Sequence, residues 1–192
     1  MTHIRGRDKF NKIKPIISVL INISRLIPKK ARKKLFELFR NKKGNIGLLI
    51  RYILLTTITK QCGENVSIHP GVYLFGLDKL SIGNNVSIHP MSYIDASGGI
   101  EIGNDVSIAH GVSILSTSHR YDEINIPIKD QGIDSKKTII EDNVWVGAKA
   151  SILYGNIVKK GSIIAANTVV TKNIDCNVIV GGVPARTIIE RK

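Results

Sequence analysis

Residues 140–170 read Ile-Glu-Asp-Asn-Val-Trp-Val-Gly-Ala-Lys-Ala-Ser-Ile-Leu-Tyr-Gly-Asn-Ile-Val-Lys-Lys-Gly-Ser-Ile-Ile-Ala-Ala-Asn-Thr-Val-Val. Every sixth residue of this stretch is aliphatic, and these positions are Ile140, Val146, Ile152, Val158, Ile164 and Val170. A period of six does not match the 3.6-residue repeat of a helix, but it suits short strands whose side chains alternate. Eighteen residues then form one turn of three strands, with the sixth-position side chains stacked inside. The pattern predicts a parallel β-helix.

The same pattern extends toward the N-terminus with a longer repeat. Asn-Val-Ser-Ile-His-Pro occurs at 65–70 and again at 85–90, and Asp-Val-Ser-Ile-Ala-His follows at 105–110, a spacing of 20 residues. Two extra residues therefore enter each turn, and we expect them at one corner. A β-sandwich does not keep such a fixed register. Positive φ angles at corners favour glycine and asparagine, and we expect them at Gly83, Asn84, Gly103, Asn104, Asn143 and Gly161.

Composition and charge divide the chain near residue 60. Of the 192 residues 43% are hydrophobic and only 5% aromatic, so we expect a core of Ile and Val. Two cysteines do not form a disulfide framework, which favours a reducing, cytoplasmic location. The net charge of +13 is concentrated in residues 1–60, which hold 16 basic and 2 acidic residues. No apolar run reaches the length of a membrane span.

Residues 1–60 are predicted to form a basic segment of two or three short amphipathic helices. Apolar residues recur at helical spacing between Pro15 and Pro28, and Lys and Arg surround the next apolar cluster. One interpretation is that the helices cap the following domain and leave their charges in water. Another is peripheral contact with the inner membrane surface, since basic amphipathic helices bind anionic lipids. No nucleic-acid-binding motif accompanies the charge, so nucleic acid is not expected as a partner.

The six-residue period breaks once, between residues 116 and 137. We expect an extended loop there, without regular structure, leaving the corner that accepts the two-residue insertions. Long loops on rigid scaffolds are usually functional or disordered. The loop begins with Ser-His, and His119 is the candidate general base, since a neutral imidazole accepts protons at cellular pH. Without the resemblance given below, His119 is equally well interpreted as a polar loop residue.

Other polar residues are candidates for supporting roles near this loop. Asp95 and Asp122 are candidates for orienting the imidazole or binding the substrate, although both also suit ordinary loop or corner positions. His69 and His89 occupy equivalent positions on successive turns, so they stack, and two stacked histidines raise the alternative of a zinc site. His110 lies one position out of register, so a third ligand is missing and no metal is expected.

Residues 62–188 resemble the hexapeptide-repeat acyltransferase family. The resemblance is most specific at 140–147, at 165–172 (Ala-Ala-Asn-Thr-Val-Val-Thr-Lys) and at 181–186 (Gly-Gly-Val-Pro-Ala-Arg), which are similar to the sugar O-acetyltransferase branch. It implies a mainly β fold, a left-handed parallel β-helix spanning residues 61–192. The general rule for parallel crossovers predicts the opposite, right hand.

The resemblance also implies a function and a set of site residues. It implies acetyl-CoA as co-substrate, a sugar or glycan acceptor, direct acetyl transfer with His119 as base, and a homotrimer that shares each site between two subunits. The implied acetyl-CoA contacts are Trp145, Ala148, Ala166, Thr171, Lys172 and Arg186, where the Ala148 N–H would stabilise the oxyanion and the basic residues would meet phosphates. His89 falls where some relatives bind the acceptor through Asn.

Three functions remain open at this point. We expect an O-acetyltransferase of surface polysaccharide biosynthesis acting in the cytoplasm. The alternatives are a non-catalytic trimeric scaffold with a membrane-binding basic arm and a zinc enzyme similar to carbonic anhydrases. Binding of acetyl-CoA separates the first from the second, and metal analysis separates the third.

Overall fold

The structure, a computed structural model, describes residues 6–191, so the first five residues of the predicted basic segment lie outside the described part. Three helices come first: α1 (Gly6–Ser24), α2 (Lys29–Leu38) and α3 (Gly44–Ile58). Nineteen short strands follow, and they are β1 (Gln61–Cys62), β2 (Ser67–Ile68), β3 (Tyr73–Phe75), β4 (Leu80–Ile82), β5 (Ser87–Ile88), β6 (Tyr93–Asp95), β7 (Ile100–Ile102), β8 (Ser107–Ile108), β9 (Ser113–Leu115), β10 (Thr117–His119), β11 (Ile133–Ser135), β12 (Thr138–Ile140), β13 (Trp145–Val146), β14 (Ser151–Ile152), β15 (Ile157–Val158), β16 (Ile163–Ile164), β17 (Val169–Val170), β18 (Val178–Gly181) and β19 (Arg186–Glu190).

The strands stack into three parallel sheets that form the faces of a prism. Face A contains β1, β4, β7, β12 and β15; face B contains β2, β5, β8, β13, β16 and β18; face C contains β3, β6, β9, β14 and β17. Each strand pairs in parallel with its equivalent one turn later, as Ile68 pairs with Ile88 and Ile88 with Ile108. The predicted left-handed parallel β-helix is confirmed.

The six-residue positions form the interior, as the sequence predicted. Ile140, Val146, Ile152, Val158 and Ile164 are all fully buried. Branched side chains of similar size fill each layer, and the narrow interior has little room for rings, which agrees with the low aromatic content.

The conformation of the corners corrects part of the prediction. Asn143 and Gly161 have positive φ as expected. Gly83, Asn84, Gly103 and Asn104 do not, since the left-handed residues at those corners are Asn85 and Asp105. Gly83 is needed for another reason. A Cβ on it would lie 2.7 Å from the carbonyl carbon of Gly103 in the next turn, which is closer than any side chain tolerates.

The helices close the first turn of the coil through a buried arginine. Arg51 of α3 is fully buried, and its Nε donates 2.7 Å to the carbonyl oxygen of Ile68 in β2. Its Nη1 donates to the carbonyl oxygens of Phe39, Arg40 and Lys42, which follow α2. One guanidinium thus donates hydrogen bonds to the carbonyls that end α2 and joins them to the coil. Burial lowers the pKa of Arg51.

Ion pairs attach the helices along the side of the coil. Arg7 of α1 pairs with Asp105 at 2.9 Å and Lys14 with Glu64 at 2.6 Å. The apolar residues of α1 and α3 continue the core of the coil without a break, as the capping interpretation expects. The division of the chain at residue 60 stays a prediction. Within residues 6–191, no helix combines the length and apolar character needed to cross a bilayer.

The extended segment 116–137 leaves from the predicted corner, between β9 of face C and β12 of face A. The prediction that this segment has no regular structure is wrong. β10 and β11 form an antiparallel hairpin in which His119 faces Ile133, and Gln131 ties the tip by hydrogen bonds to the backbone of Glu123 and Ile126. The six-residue period is lost here because a two-stranded hairpin has no interior to fill with stacked side chains, and not because the segment is irregular.

Candidate active site

The imidazole of His119 lies on the exposed surface of the hairpin. His119 is the last residue of β10, two residues beyond the base of the hairpin at Thr117. Within the described part of the chain, its ring has no hydrogen-bond partner, so both ring nitrogens are open to a bound molecule. A rigid hairpin thus presents a free proton acceptor outside the coil, which suits a general base.

Asp95 holds the base of this hairpin. Its Oδ2 accepts a hydrogen bond of 3.0 Å from Thr117 Oγ1, and its Oδ1 accepts from Ser97 Oγ at 2.6 Å and from Ser97 N at 3.0 Å. Burial acts to raise the pKa of Asp95, but these hydrogen bonds outweigh it and leave that pKa lowered. The carboxylate therefore stays ionised and acts on the hairpin that carries His119. The predicted substrate contact of Asp95 stays a prediction.

Asp122 does not contact the imidazole. Its Oδ2 lies 3.8 Å from Arg120 Nε, and the same Nε lies 3.8 Å from Asp134 Oδ1 on the opposite strand. Asp122 is therefore part of a charge cluster on the hairpin surface. An exposed cluster of this kind contributes little to stability, and the predicted role of Asp122 in substrate binding stays a prediction.

Three of the predicted acetyl-CoA positions form a line where face B turns into face C. Trp145 lies on the outer surface of β13 with 53% of its area exposed, between Ser107 and Ile163 of the neighbouring strands. Ala148 and Ala166 are equivalent corner residues on successive turns. The carbonyl of Ala148 accepts a hydrogen bond from Asn167 N at 2.9 Å, whereas its N–H donates to no group among residues 6–191. That free N–H suits an oxyanion donor.

The two predicted phosphate contacts line one cleft near the C-terminal end of the coil. Lys172 follows β17 and Arg186 begins β19, and both border a cleft of about 310 Å³ together with Asn173 and Thr187. Thr171 is exposed beside Lys172. Asp175 also borders the cleft, and its carboxylate pairs with Lys159 at 2.9 Å. Two cations in one cleft suit a polyphosphate.

His89 lies on the line of the acetyl-CoA positions rather than with His119. Its ring stacks on that of His69, with centroids 4.6 Å apart and planes 9° apart. Burial, followed by the charges of His89 and Arg51, lowers the pKa of His69. The predicted stacking of these two histidines is confirmed. Among residues 6–191, no group of three or more His, Cys, Asp or Glu side chains is arranged to hold a metal ion.

The predicted residues thus fall into two groups on different edges of the prism. His119, Asp95 and Asp122 belong to the edge between faces C and A, whereas Trp145, Ala148, Ala166 and His89 lie where face B turns into face C. Thr171 and Lys172 follow β17 of face C and lie on the first of these edges, at the C-terminal end of the coil. Face C separates the two edges within one chain.

Sequence reasoning missed two features of this region. Thr117, which connects the hairpin to Asp95, was not identified because a threonine two residues before a histidine carries no signal of its own. An exposed aromatic cluster of Tyr73, Phe75 and Tyr93 on face C was also missed, with Phe75 and Tyr93 centroids 5.1 Å apart. The 20-residue repeat, which places Tyr73 and Tyr93 in register, could have revealed it.

The repeat region of the chain is similar to known acyltransferases. The family model described as "hexapeptide repeat of succinyl-transferase" matches residues 137–172. A probable acetyltransferase of Mycobacterium tuberculosis is 35% identical over 79 residues, 41% of this chain and 26% of that protein. A putative lipopolysaccharide biosynthesis O-acetyl transferase of Escherichia coli is 36% identical over 64 residues, 33% of each chain. These matches span only about a quarter to a third of the curated relatives.

A solved structure extends the similarity over most of the fold. Galactoside acetyltransferase in complex with coenzyme A superposes with a TM-score of 0.75 at 28% identity, covering 85% of this chain and 80% of that one. The predicted resemblance to hexapeptide-repeat acyltransferases is confirmed. Residues 137–172 thus match the hexapeptide-repeat model, and the fold as a whole has the architecture of galactoside acetyltransferase.

Proposed function

We propose that this protein is an acetyl-CoA-dependent O-acetyltransferase that acts on a sugar hydroxyl. The observation that carries the proposal is the unpartnered imidazole of His119, held outside the coil by a hairpin that Asp95 anchors. The complex of galactoside acetyltransferase with coenzyme A supports the choice of co-substrate. The relative from lipopolysaccharide biosynthesis supports a role in surface polysaccharide biosynthesis.

The chemistry assigned to the chain is a direct transfer without a covalent enzyme intermediate. His119 accepts the proton of the acceptor hydroxyl while that oxygen attacks the thioester carbonyl carbon. The N–H of Ala148 donates to the carbonyl oxygen as negative charge develops there. The carbon–sulfur bond then breaks, and the imidazolium returns its proton to the leaving thiolate. One imidazole serves as base and then as acid, which general acid–base catalysis requires at neutral pH.

The remaining residues bind and position. Trp145 offers an exposed ring beside the reacting end, and Ala148 and Ala166 leave room along the edge for the narrow pantetheine arm. Lys172 and Arg186 meet the phosphates in their shared cleft, with Thr171 beside them. His89 binds the acceptor at the end of the line opposite the phosphate cleft. Each of these roles follows from the resemblance; Trp145, Ala166, Thr171 and Lys172 are exposed, whereas Ala148 and His89 are half-buried.

The active unit proposed is a homotrimer. His119 and the acetyl-CoA line lie on different edges of one prism, so a neighbouring copy supplies the missing half of each site. Closed threefold symmetry repeats this arrangement three times without leaving an unpaired surface.

The proposed location is the cytoplasm, with peripheral attachment to the inner membrane surface through residues 1–60. A lipid-linked precursor of a surface polysaccharide would lie at that surface. The net charge of the segment favours anionic lipid.

The direct test measures CoA release with acetyl-CoA and a panel of free sugars and glycosides. His119→Ala is expected to lower kcat by about two to four orders of magnitude, the usual contribution of a general base. Ile124→Ala, a highly exposed change on the same hairpin, serves as the matched control and is expected to keep near-normal turnover. Unchanged turnover in His119→Ala would remove His119 as the base.

Calorimetry with acetyl-CoA alone separates this proposal from the scaffold alternative. The enzyme is expected to bind acetyl-CoA with measurable heat, and that heat should fall in a Lys172→Ala/Arg186→Ala variant. A scaffold would bind none. Absence of binding to the wild-type chain would therefore contradict the proposal before any acceptor is identified.

A further inference from the structure

One helix of the chain has more apolar surface than its packing uses. α1 buries Ile17 and Ser24 against α3 and the coil, while Leu20 and Ile21 are half-buried. Next to this buried face lies a second apolar face, defined here as the α1 stripe, formed by residues that are between 55% and 84% exposed. The members of the stripe are Ile16, Val19 and Ile23 of α1, together with Leu26 in the turn that follows the helix.

The spacing of the stripe shows that it is one continuous surface. Ile16, Val19 and Ile23 are three and four residues apart, which places them on one side of α1. Ion pairs Arg7–Asp105 and Lys14–Glu64 hold α1 to the coil on another side, so the stripe faces away from the coil. A row of large aliphatic side chains directed at water usually marks an interaction surface.

Cations surround the stripe. Lys12 lies one helical turn before Ile16 on the same side, and Arg25 adjoins Leu26. Lys30 and Lys34 of α2 follow shortly after, and neither they nor Lys12 forms an ion pair within residues 6–191. An apolar row bordered by free lysines matches the boundary between acyl chains and anionic headgroups, because long lysine side chains reach back to the phosphates.

We infer that the α1 stripe is the surface by which this protein enters the outer few ångströms of an anionic lipid bilayer. This rests on the membrane-surface location proposed above and does not depend on acetyl transfer. A second copy of the chain is a poorer occupant. The stripe is one helix wide, which is small for a stable protein interface, and a second copy would bring the same excess of positive charge against it.

Cosedimentation of the full chain with sucrose-loaded vesicles tests the inference. Vesicles of phosphatidylcholine with about one third phosphatidylglycerol should retain the chain at about 0.1 M salt, and phosphatidylcholine alone should retain far less. An Ile16→Ser/Val19→Ser/Ile23→Ser variant is expected to bind these vesicles with an affinity lower by about tenfold or more. Circular dichroism and gel filtration check that it remains folded. No binding by the wild-type chain, or equal binding to both vesicles, would overturn the inference.

A matched triple change elsewhere controls for general hydrophobicity. Ile124→Ser/Ile126→Ser/Ile128→Ser removes the same kind of side chain from the exposed hairpin, and it should bind vesicles as the wild type does. An equal loss in both variants would show that the stripe is not the contact. A smaller oligomer for the α1 variant, with unchanged vesicle binding, would assign the stripe to a second copy instead.

Fluorescence locates the contact independently of affinity. The chain has a single tryptophan, so Trp145→Phe provides a silent background into which Val19→Trp is introduced. The emission of this tryptophan should shift to shorter wavelength with anionic vesicles and be quenched by lipids brominated on the acyl chains. Unshifted emission with bound vesicles would contradict the inference. CoA release with a soluble acceptor, measured on the Ile16→Ser/Val19→Ser/Ile23→Ser variant, which keeps Trp145, reports acetyl transfer separately, so loss of one property can be distinguished from loss of the other.

Discussion

The hydroxyl of Thr117 donates a hydrogen bond of 3.0 Å to Oδ2 of Asp95 and so attaches the hairpin that carries His119 to the wall of the coil. Ser97 occupies the other carboxylate oxygen, which fixes the side chain of Asp95 in place. Buried or half-buried hydrogen bonds to a charged acceptor are stronger than those between neutral groups. The position of the proposed base thus depends on a threonine two residues before it in the same strand.

Replacing Thr117 by Val should loosen the hairpin with little change in the coil. Asp95 loses one donor, so its pKa should rise toward the ordinary value, and the free energy of unfolding should fall by about 1–2 kcal/mol. Urea denaturation and carboxyl NMR titration measure these two effects. Ser118→Ala is the control, because its hydroxyl reaches only the adjacent carbonyl at 3.3 Å. Equal effects of both changes would show that the bond to Asp95 is not responsible.

A second prediction concerns the attachment of α2. Lys29 and Lys33 lie 2.5 Å and 2.7 Å from the carboxylate of Asp78, and in that order they lower its pKa to about 2. Because the pKa of Asp78 is lower in the folded chain than in the unfolded one, its carboxylate stabilises the fold above about pH 4. This contribution is lost as the pH falls toward 2 and the carboxylate is protonated.

Asp78→Asn should therefore reduce stability at neutral pH by less than about 1 kcal/mol, because the pairs are half exposed. The difference from wild type should shrink as the pH falls through this window and as salt rises. Melting temperatures at several pH values measure it. Asp130→Asn, which forms no ion pair within residues 6–191, should show no such trend. A pH-independent difference would exclude an ion-pair origin.

A third prediction concerns the buried guanidinium of Arg51. Arg51→Met keeps most of the length of the side chain but leaves the carbonyls of Lys42 and Ile68 without their donor, whereas the carbonyl of Phe39 keeps the backbone N–H of Lys42. Unsatisfied buried acceptors cost about 1–3 kcal/mol each, so a loss of about 3 kcal/mol or more is expected from denaturation curves. The exposed Arg25→Met serves as control. A loss as small as that of the control would mean that water replaces the guanidinium.

The fourth prediction tests whether two chains share each site. His119→Ala and Trp145→Ala should each be nearly inactive alone. If the base and the tryptophan come from different subunits, refolding an equal mixture should restore about one quarter of the wild-type sites by random assembly. CoA release from the mixture measures this. A mixture no more active than its two parents would show that each chain supplies both residues.

Particular residues show how far sequence reasoning reached. Val146 and Ile164 were predicted inside the coil from spacing alone, and both are fully buried. Ala148 and Lys172 are proposed as acetyl-CoA contacts by resemblance; in the structure Ala148 is a half-buried corner residue and Lys172 is exposed, and their roles stay predictions. The role of Arg51 could not be predicted, because one charged residue inside an apolar run does not reveal the carbonyls that fold around it.

The period of six and the 20-residue repeat were enough to establish the coil, its interior and the corner from which the hairpin leaves, because each turn repeats the same local rule and long-range contacts merely copy it. Only the tertiary structure decided how α1 divides its apolar residues between the core and the solvent, which oxygen of Asp95 meets Thr117, and on which edges His119 and Trp145 lie. Those relationships join residues that do not share the repeat, so their distances depend on how separate elements pack and not on spacing along the chain.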